Sequence, residues 1–335
     1  MLSGVNKIYI MKGIICTFLL LNISLILNAQ KIIGRVTDKE TNTAVPSATV
    51  YLSGTFIGTT TDTDGNFTLD ISKYPLMPLS VSAMGYYSVN IENFPADKKL
   101  LIKLTPRIYE LNAIIVKANS LKNRRKEYME IFKREFLGSS VNARSCKILN
   151  DKDIQFDYTL GSDTIKAFSE KPLIIDNKSL GYKVTYFLDE FEYCKKSRNL
   201  YFVGNIVFNE EAKMSRSKRR TFEKQRRSTF LGSRMHFMRA LWKNDISTSG
   251  FKIYGQKMMP LNYDNLVMTD SAGKKYLIKS DYFLIQYRSD VSYLSFKKDF
   301  VYFDNKGFFY PLDLLWTGSI SDQRIADYLP YEYSL

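Results

Sequence analysis

Histidine is nearly absent: His236 is the only one among 335 residues. A hydrolytic zinc centre takes three protein ligands, usually with more than one histidine. No two-histidine motif exists here, so zinc peptidase chemistry is excluded on composition, and no metal or cofactor is expected. Cysteine is scarce too, at Cys16, Cys146 and Cys194. Long apolar runs are lacking except over residues 13–27, which is shorter than the ~20 residues a membrane-spanning helix needs. Cys16 lies near the start of that run, whereas lipoprotein processing needs a cysteine at its end.

The same run has a basic start at Lys12 and ends in Asn28-Ala29-Gln30, which describes a secretory signal peptide cut after Ala29. Residues 1–29 are expected to be removed and the chain exported, to the periplasm, the outer membrane or the cell surface. Cys146 and Cys194 would then meet an oxidising compartment. They are read either as a disulfide or as two thiols packed like small apolar side chains.

Acidic charge is in deficit, and unevenly so. The formal net charge is +14, yet residues 31–105 balance seven basic against seven acidic side chains, leaving +12 to residues 106–335. Aromatics are plentiful, with 23 Tyr and 22 Phe, which favours pleated, half-buried surfaces.

Short alternating runs fill residues 30–106: 32–37, 49–52, 58–61, 67–70, 79–83, 86–91 and 100–104. Period-two alternation with turn residues between the runs predicts a sandwich. Within it, Gly34-Arg35-Val36-Thr37-Asp38 leads to Ala48-Thr49-Val50-Tyr51-Leu52, then to Asp62-Thr63-Asp64-Gly65-Asn66-Phe67 and Met84-Gly85-Tyr86. This order resembles the carboxypeptidase-like regulatory domain that leads many outer-membrane receptors. The resemblance implies a prealbumin-like seven-stranded sandwich, an accessory module rather than a peptidase. Asp62 is expected to close a turn, Gly65 to take positive φ, Phe67 to plug the core and Gly85 to serve a second turn. Asp62, Asp64 and Asn66 also mimic the start of a calcium loop, but its twelfth position is Lys73 rather than Glu.

Tyr109–Ala118 resembles the segment that follows this domain in TonB-dependent receptors. The 217 residues after it are too few for a plug and a 22-stranded wall of ~10-residue strands. Residues 107–119 are read as a linker, and 120–335 as an antiparallel, β-rich α+β domain with a helical insertion. The overall class is mainly β / α+β. A helix is expected over 120–137, its apolar face made of Leu121, Tyr128, Met129, Phe132 and Phe136. Leu231, Met235, Met238 and Trp242 fall at helical spacing, with hairpin turns at 270–273 and 304–307. Phe136-Leu137-Gly138, Leu180-Gly181-Tyr182 and His236–Leu241 resemble exported proteins of undescribed activity that carry this same front domain.

Chemistry is concentrated in one basic block, Lys213, Arg216, Lys218, Arg219, Arg220, Lys224, Arg226 and Arg227, against Glu223 alone. Export argues against nucleic acid as its partner. An anionic lipid or lipopolysaccharide surface, an envelope protein or a glycan suits it, and so does a solvated helix face. His236 lies roughly 130° from the Leu231–Trp242 stripe and is expected to face away from that core seam. Ser233 sits one turn before it, but no strained nucleophile turn or acidic orienter accompanies the pair, so no catalytic residue is expected. Tyr282, Phe283, Tyr287, Tyr293, Phe296, Tyr302, Phe303, Phe308, Phe309 and Tyr310 either pack across strands or stack on sugars. The leading expectation is a non-catalytic envelope protein that binds a partner or surface. The alternatives are an envelope glycan hydrolase and a periplasmic accessory to TonB-dependent uptake.

Overall fold

The computed structural model describes residues 30–335 apart from 75–76, 93, 96–97, 108–117, 160 and 212–213. The signal peptide, most of the linker, Lys213 and the side chain of Leu121 therefore lie outside the described residues. Among those described, no helix is long and apolar enough to cross a membrane.

The front seven strands are β1 Lys31–Asp38, β2 Thr49–Leu52, β3 Gly58–Thr60, β4 Asn66–Asp70, β5 Leu79–Ser82, β6 Val89–Ile91 and β7 Leu100–Leu104. They form two sheets, β4-β1-β7 and β3-β2-β5-β6, with β1 and β7 parallel and every other pair antiparallel. Ile32, Val36, Val50, Leu52, Phe67, Leu79, Val81, Ile102 and Leu104 fill the space between them. Along β1 the side chains alternate strictly between solvent and this core.

A second layer begins with helix α1 Ala118–Leu137 and the short α2 Val141–Arg144. Tyr128, Phe132 and Phe136, at i, i+4 and i+8, bury one helix face. That face covers a six-stranded sheet ordered β8-β11-β12-β10-β9, with β13 also paired to β12. Its strands are β8 Cys146–Ile148, β9 Ile154–Asp157, β10 Thr164–Ser169, β11 Leu173–Asn177, β12 Tyr182–Cys194 and β13 Leu200–Glu210. Phe132 meets Phe191 on β12 at 4.7 Å between ring centroids.

The opposite face of this sheet meets the sandwich. Phe187 stacks on the fully buried Tyr51 at 5.0 Å. A bulge between Leu188 and Glu190 redirects β12 at Asp189, whose carboxylate accepts from Ser88 Oγ at 2.9 Å. The turn after β2 is stitched to β13, with Gly54 N–H donating to Ile206 O at 2.7 Å and Phe208 N–H to Thr55 O at 3.0 Å.

Two helices follow, α3 Arg216–Phe230 and α4 Arg234–Lys243. The expected insertion is thus split. Gly232, at φ +83°, ends the first helix in a conformation that costs other residues strain. Strands β14 Phe251–Tyr254, β17 Leu284–Tyr287, β18 Asp290–Phe296 and β20 Leu314–Gly318 make one antiparallel sheet. Strands β15 Val267–Thr269, β16 Lys275–Ile278 and β19 Phe300–Phe303 make another. Phe237, Met238 and Leu241 of α4 enter the core between them. The C-terminal segment returns to the front: Tyr331 N–H donates to Gly54 O at 2.8 Å, and Phe308 completes the sandwich core. Arg239 holds this segment by donating to the carbonyls of Lys306, Tyr331 and Tyr333.

Three turns repeat one device. Asp62, Asp270 and Asp304 each accept from the backbone N–H groups two and four residues on. Each also has glycine at the third following position with φ between +76° and +85°. These are the turns expected at 62–65, 270–273 and 304–307.

Candidate functional site

Helix α3 starts at Ser215, whose hydroxyl accepts from Lys218 N–H at 3.3 Å. Phe222, Arg226 and Phe230, again at i, i+4 and i+8, are its buried residues. Gln225 and Thr229 tie it to Asn142 of α2, each at 2.8 Å. Arg216, Arg219, Arg220, Lys224 and Arg227 are all exposed, with Glu223 among them. By helical spacing Arg216, Arg220, Lys224 and Arg227 share an arc of about 80° beside the buried face, while Arg219, on the same line as Phe222, is exposed at the start of the helix. No acidic residue lies in the first turn. Cations there oppose the helix dipole, so the arrangement costs the helix stability.

Two expected members of this patch are placed elsewhere. Arg226 is buried, and its expected role at an anionic surface is corrected. Its Nε donates to Leu180 O at 2.8 Å, Nη2 lies 2.6 Å from Glu210 Oε1, and the guanidinium sits 3.9 Å from the Tyr182 ring centroid. A charge removed from water needs such partners. Lys218 is exposed but turned aside, paired with Glu211 at 3.0 Å. Arg219, Arg220 and Arg227 remain in the patch. Arg216 and Lys224 belong with them by the i, i+4, i+8, i+11 spacing of 216, 220, 224 and 227.

The front-domain motif is structural throughout. Asp62 closes its turn at 3.0 and 2.8 Å from the N–H groups of Asp64 and Asn66. A Cβ on Gly65 would come within 2.4 Å of Val36 O, so position 65 excludes side chains by contact as well as by its φ of +76°. Phe67 is buried, and Gly85 takes φ +83° with open space around it. Asp38, quoted in the same motif, accepts from Thr41 N–H, Glu40 N–H and the Tyr86 hydroxyl. These bonds, the one from Thr41 foremost, hold its carboxyl below the usual range. The signal for this link was the pairing of Asp38 and Tyr86 within one motif. The side chains resembling a calcium loop are otherwise engaged: Asp62 faces backbone N–H groups, and Asn66 accepts from Lys99.

The disulfide reading is corrected. Cys146 and Cys194 are both free. Cys146 pairs with Asn177, which pairs with Tyr182 at the start of β12, whereas Cys194 ends that strand. Twelve residues of extended chain separate the two positions by roughly 40 Å. Burial pushes the Cys146 thiol up to about 12, while a hydrogen bond from Ser197 lowers that of Cys194.

His236, expected to face away from the core, is buried. The buried arc of α4 takes in His236, Phe237, Met238, Ala240 and Leu241, wider than the apolar stripe, because the helix packs against two cores. Its ring packs against Phe230, Phe251 and Tyr287, and Nδ1 accepts from Gly232 N–H at 3.0 Å. Burial lowers its pKa to about 4. Ser233 caps α4, accepting from His236 N–H at 3.0 Å, so its hydroxyl serves the helix. Of the aromatic set, Phe283, Phe303, Phe308 and Phe309 are core residues, Tyr293 is exposed, and Tyr282, Tyr287, Phe296, Tyr302 and Tyr310 are half-buried. Among the described residues no three His, Cys, Asp or Glu side chains converge as a metal site.

Residues 32–116 match the CarboxypepD_reg-like domain. No curated protein matches. A crystal structure of a protein of unknown function from Bacteroides fragilis NCTC 9343 aligns at 12% identity over 86% of this chain and 94% of its own, with a TM-score of 0.17. A 9R-lipoxygenase from Cyanothece PCC8801 aligns at 11% identity over 63% and 48%, with a TM-score of 0.18. A CarboxypepD_reg-like domain, a non-catalytic regulatory module, is thus present at the front of the chain.

Proposed function

We propose that this is an exported, non-catalytic envelope protein that holds to an anionic phospholipid surface through the exposed face of α3. The observation that carries the reading is the stripe of Arg216, Arg220, Lys224 and Arg227, exposed on a helix whose neighbouring face is anchored by Phe222, Arg226 and Phe230, with Arg219 exposed at the start of the helix. A cationic first turn that opposes the helix dipole is unfavourable in isolation and becomes favourable against phosphates. Each Lys or Arg near such a surface contributes about 1 kcal/mol, falling off within a Debye length of roughly 8 Å at physiological salt.

The test is co-sedimentation of the mature chain with phosphatidylglycerol vesicles, with phosphatidylcholine vesicles and lipopolysaccharide micelles in parallel. Replacing Arg219, Arg220, Lys224 and Arg227 with Gln while keeping Arg226 removes about 4 kcal/mol of attraction, so binding to the anionic vesicles falls roughly a hundred-fold or more. Binding by the four-fold variant equal to that of the parent, or preference for the neutral vesicles, overturns the reading.

A further inference from the structure

At the C-terminal end of α3, beside Ser228 and Thr229, lies a cleft of about 310 Å³ bounded by the α1–α2 turn, the α3–α4 turn, the β17–β18 hairpin and residues 319–327. It sits at the seam between the α1-covered core, which holds Ile325, and the last core, which holds Ile320. Seams of this kind are where ligand pockets tend to form.

The chemistry of its lining differs from the rest of the molecule. In a chain with 48 basic residues, no Lys or Arg among the described residues lines the cleft, while Asp290, Asp322 and Asp327 do, together with several serines. Its floor is internally satisfied: Asp327 accepts from Ser140 and Asn142, and Ser292 accepts from Ile320 N–H. Its rim is not. The side-chain oxygens of Ser139, Ser228, Ser319, Asp290 and Asp322 form no hydrogen bond with any described residue. A hydrogen-bonded floor beneath unpaired acceptors and hydroxyls offers partners to a ligand bearing many donors.

We infer that this cleft binds one ring of a neutral sugar. An anion is repelled by the carboxylates. A metal ion needs converging ligands, which the described residues do not form. Asp290 and Asp322, neither with a hydrogen-bond partner among the described residues, stand on different elements and share the cleft with serine hydroxyls, matching a polyol whose several O–H groups donate in different directions. The volume is at the lower end of ligand pockets, about 300–1,000 Å³, and fits a single ring rather than an extended chain.

The test is saturation-transfer NMR on the mature chain with glucose, galactose, mannose and N-acetylglucosamine, each at millimolar concentration, and with putrescine as a cationic probe. At least one sugar gives a saturable signal, and Asp322→Asn and Ser228→Ala each weaken it, the former by about ten-fold or more. Both positions are exposed, so thermal melting of the variants stays that of the parent. No saturable signal from any sugar, a signal from putrescine alone, or unchanged affinity in both variants overturns the inference. The basic face plays no part in this readout, so its four-fold variant binds the sugar as the parent does.

Discussion

The front sandwich and the region behind it solve the same packing problem with different reach. Core contacts of the sandwich link strands a few tens of residues apart, and its turns are closed by their own side chains, as at Asp62. The rear region depends on distant partners: Arg239 on α4 grips the carbonyls of Tyr331 and Tyr333, and Asn177 donates to Ala326 O. Yet the sandwich is not wholly self-contained, since Phe308 from the rear region fills one end of its core. Local closure makes a fold recognisable from a short stretch, whereas long-range closure couples it to its neighbour.

The sharpest way to break this comparison is Phe308→Ala. Truncating a buried Phe costs about 3–5 kcal/mol. Both tryptophans, Trp242 and Trp316, belong to the rear core, so their fluorescence reports that region, while circular dichroism reports the whole chain. Urea unfolding by the two probes coincides in the parent and separates in the variant as the sandwich melts first. Coincident curves in the variant would mean the two regions unfold as one.

Gly65→Val tests local closure. A side chain there must take φ +76° and meet Val36 O, which costs roughly 3 kcal/mol. Hydrogen exchange should speed up on β1 and β4 while the rear strands keep their protection. Equal loss across both regions would show that the turn supports more than the sandwich.

The smallest effect concerns pH. The His236 pKa is lowered, so its contribution to stability is present above the unfolded value of about 6.5 and is lost as pH falls toward about 4. Asp304 and Asp327 are raised by burial and act in the opposite sense, favouring the fold while protonated and losing that contribution as pH rises through their folded values. In the front domain, Asp38 is lowered, so its contribution persists above about 3.8 and fades only below it. With one histidine in the chain, a single imidazole resonance can be followed by NMR, and its midpoint should fall near 4. A midpoint near 6.5 would place the ring in water.

Much of this was legible in sequence. All seven front strands were, as were the three Asp-x-x-Gly turns and the helix ending at Gly138, because alternation, helical spacing and turn chemistry act over a few residues. The candidate site was half legible. The density of cations in α3 was plain, but the withdrawal of Arg226 was not, since its partners Leu180 and Glu210 lie on strands or turns well away from it in sequence. His236 was misplaced because α4 packs against two cores, which a single apolar stripe does not show.

Composition alone determined that a multi-histidine zinc centre cannot be built here, and local pattern determined the front sandwich, since neither depends on where remote segments lie. Tertiary structure decided which cations face water, that Cys146 and Cys194 stand at opposite ends of a sheet, and that serines and aspartates from a helix, a hairpin and two turns border one cleft. Those outcomes follow from sheet register and helix docking, which bring together residues separated in sequence by far more than any local periodicity spans.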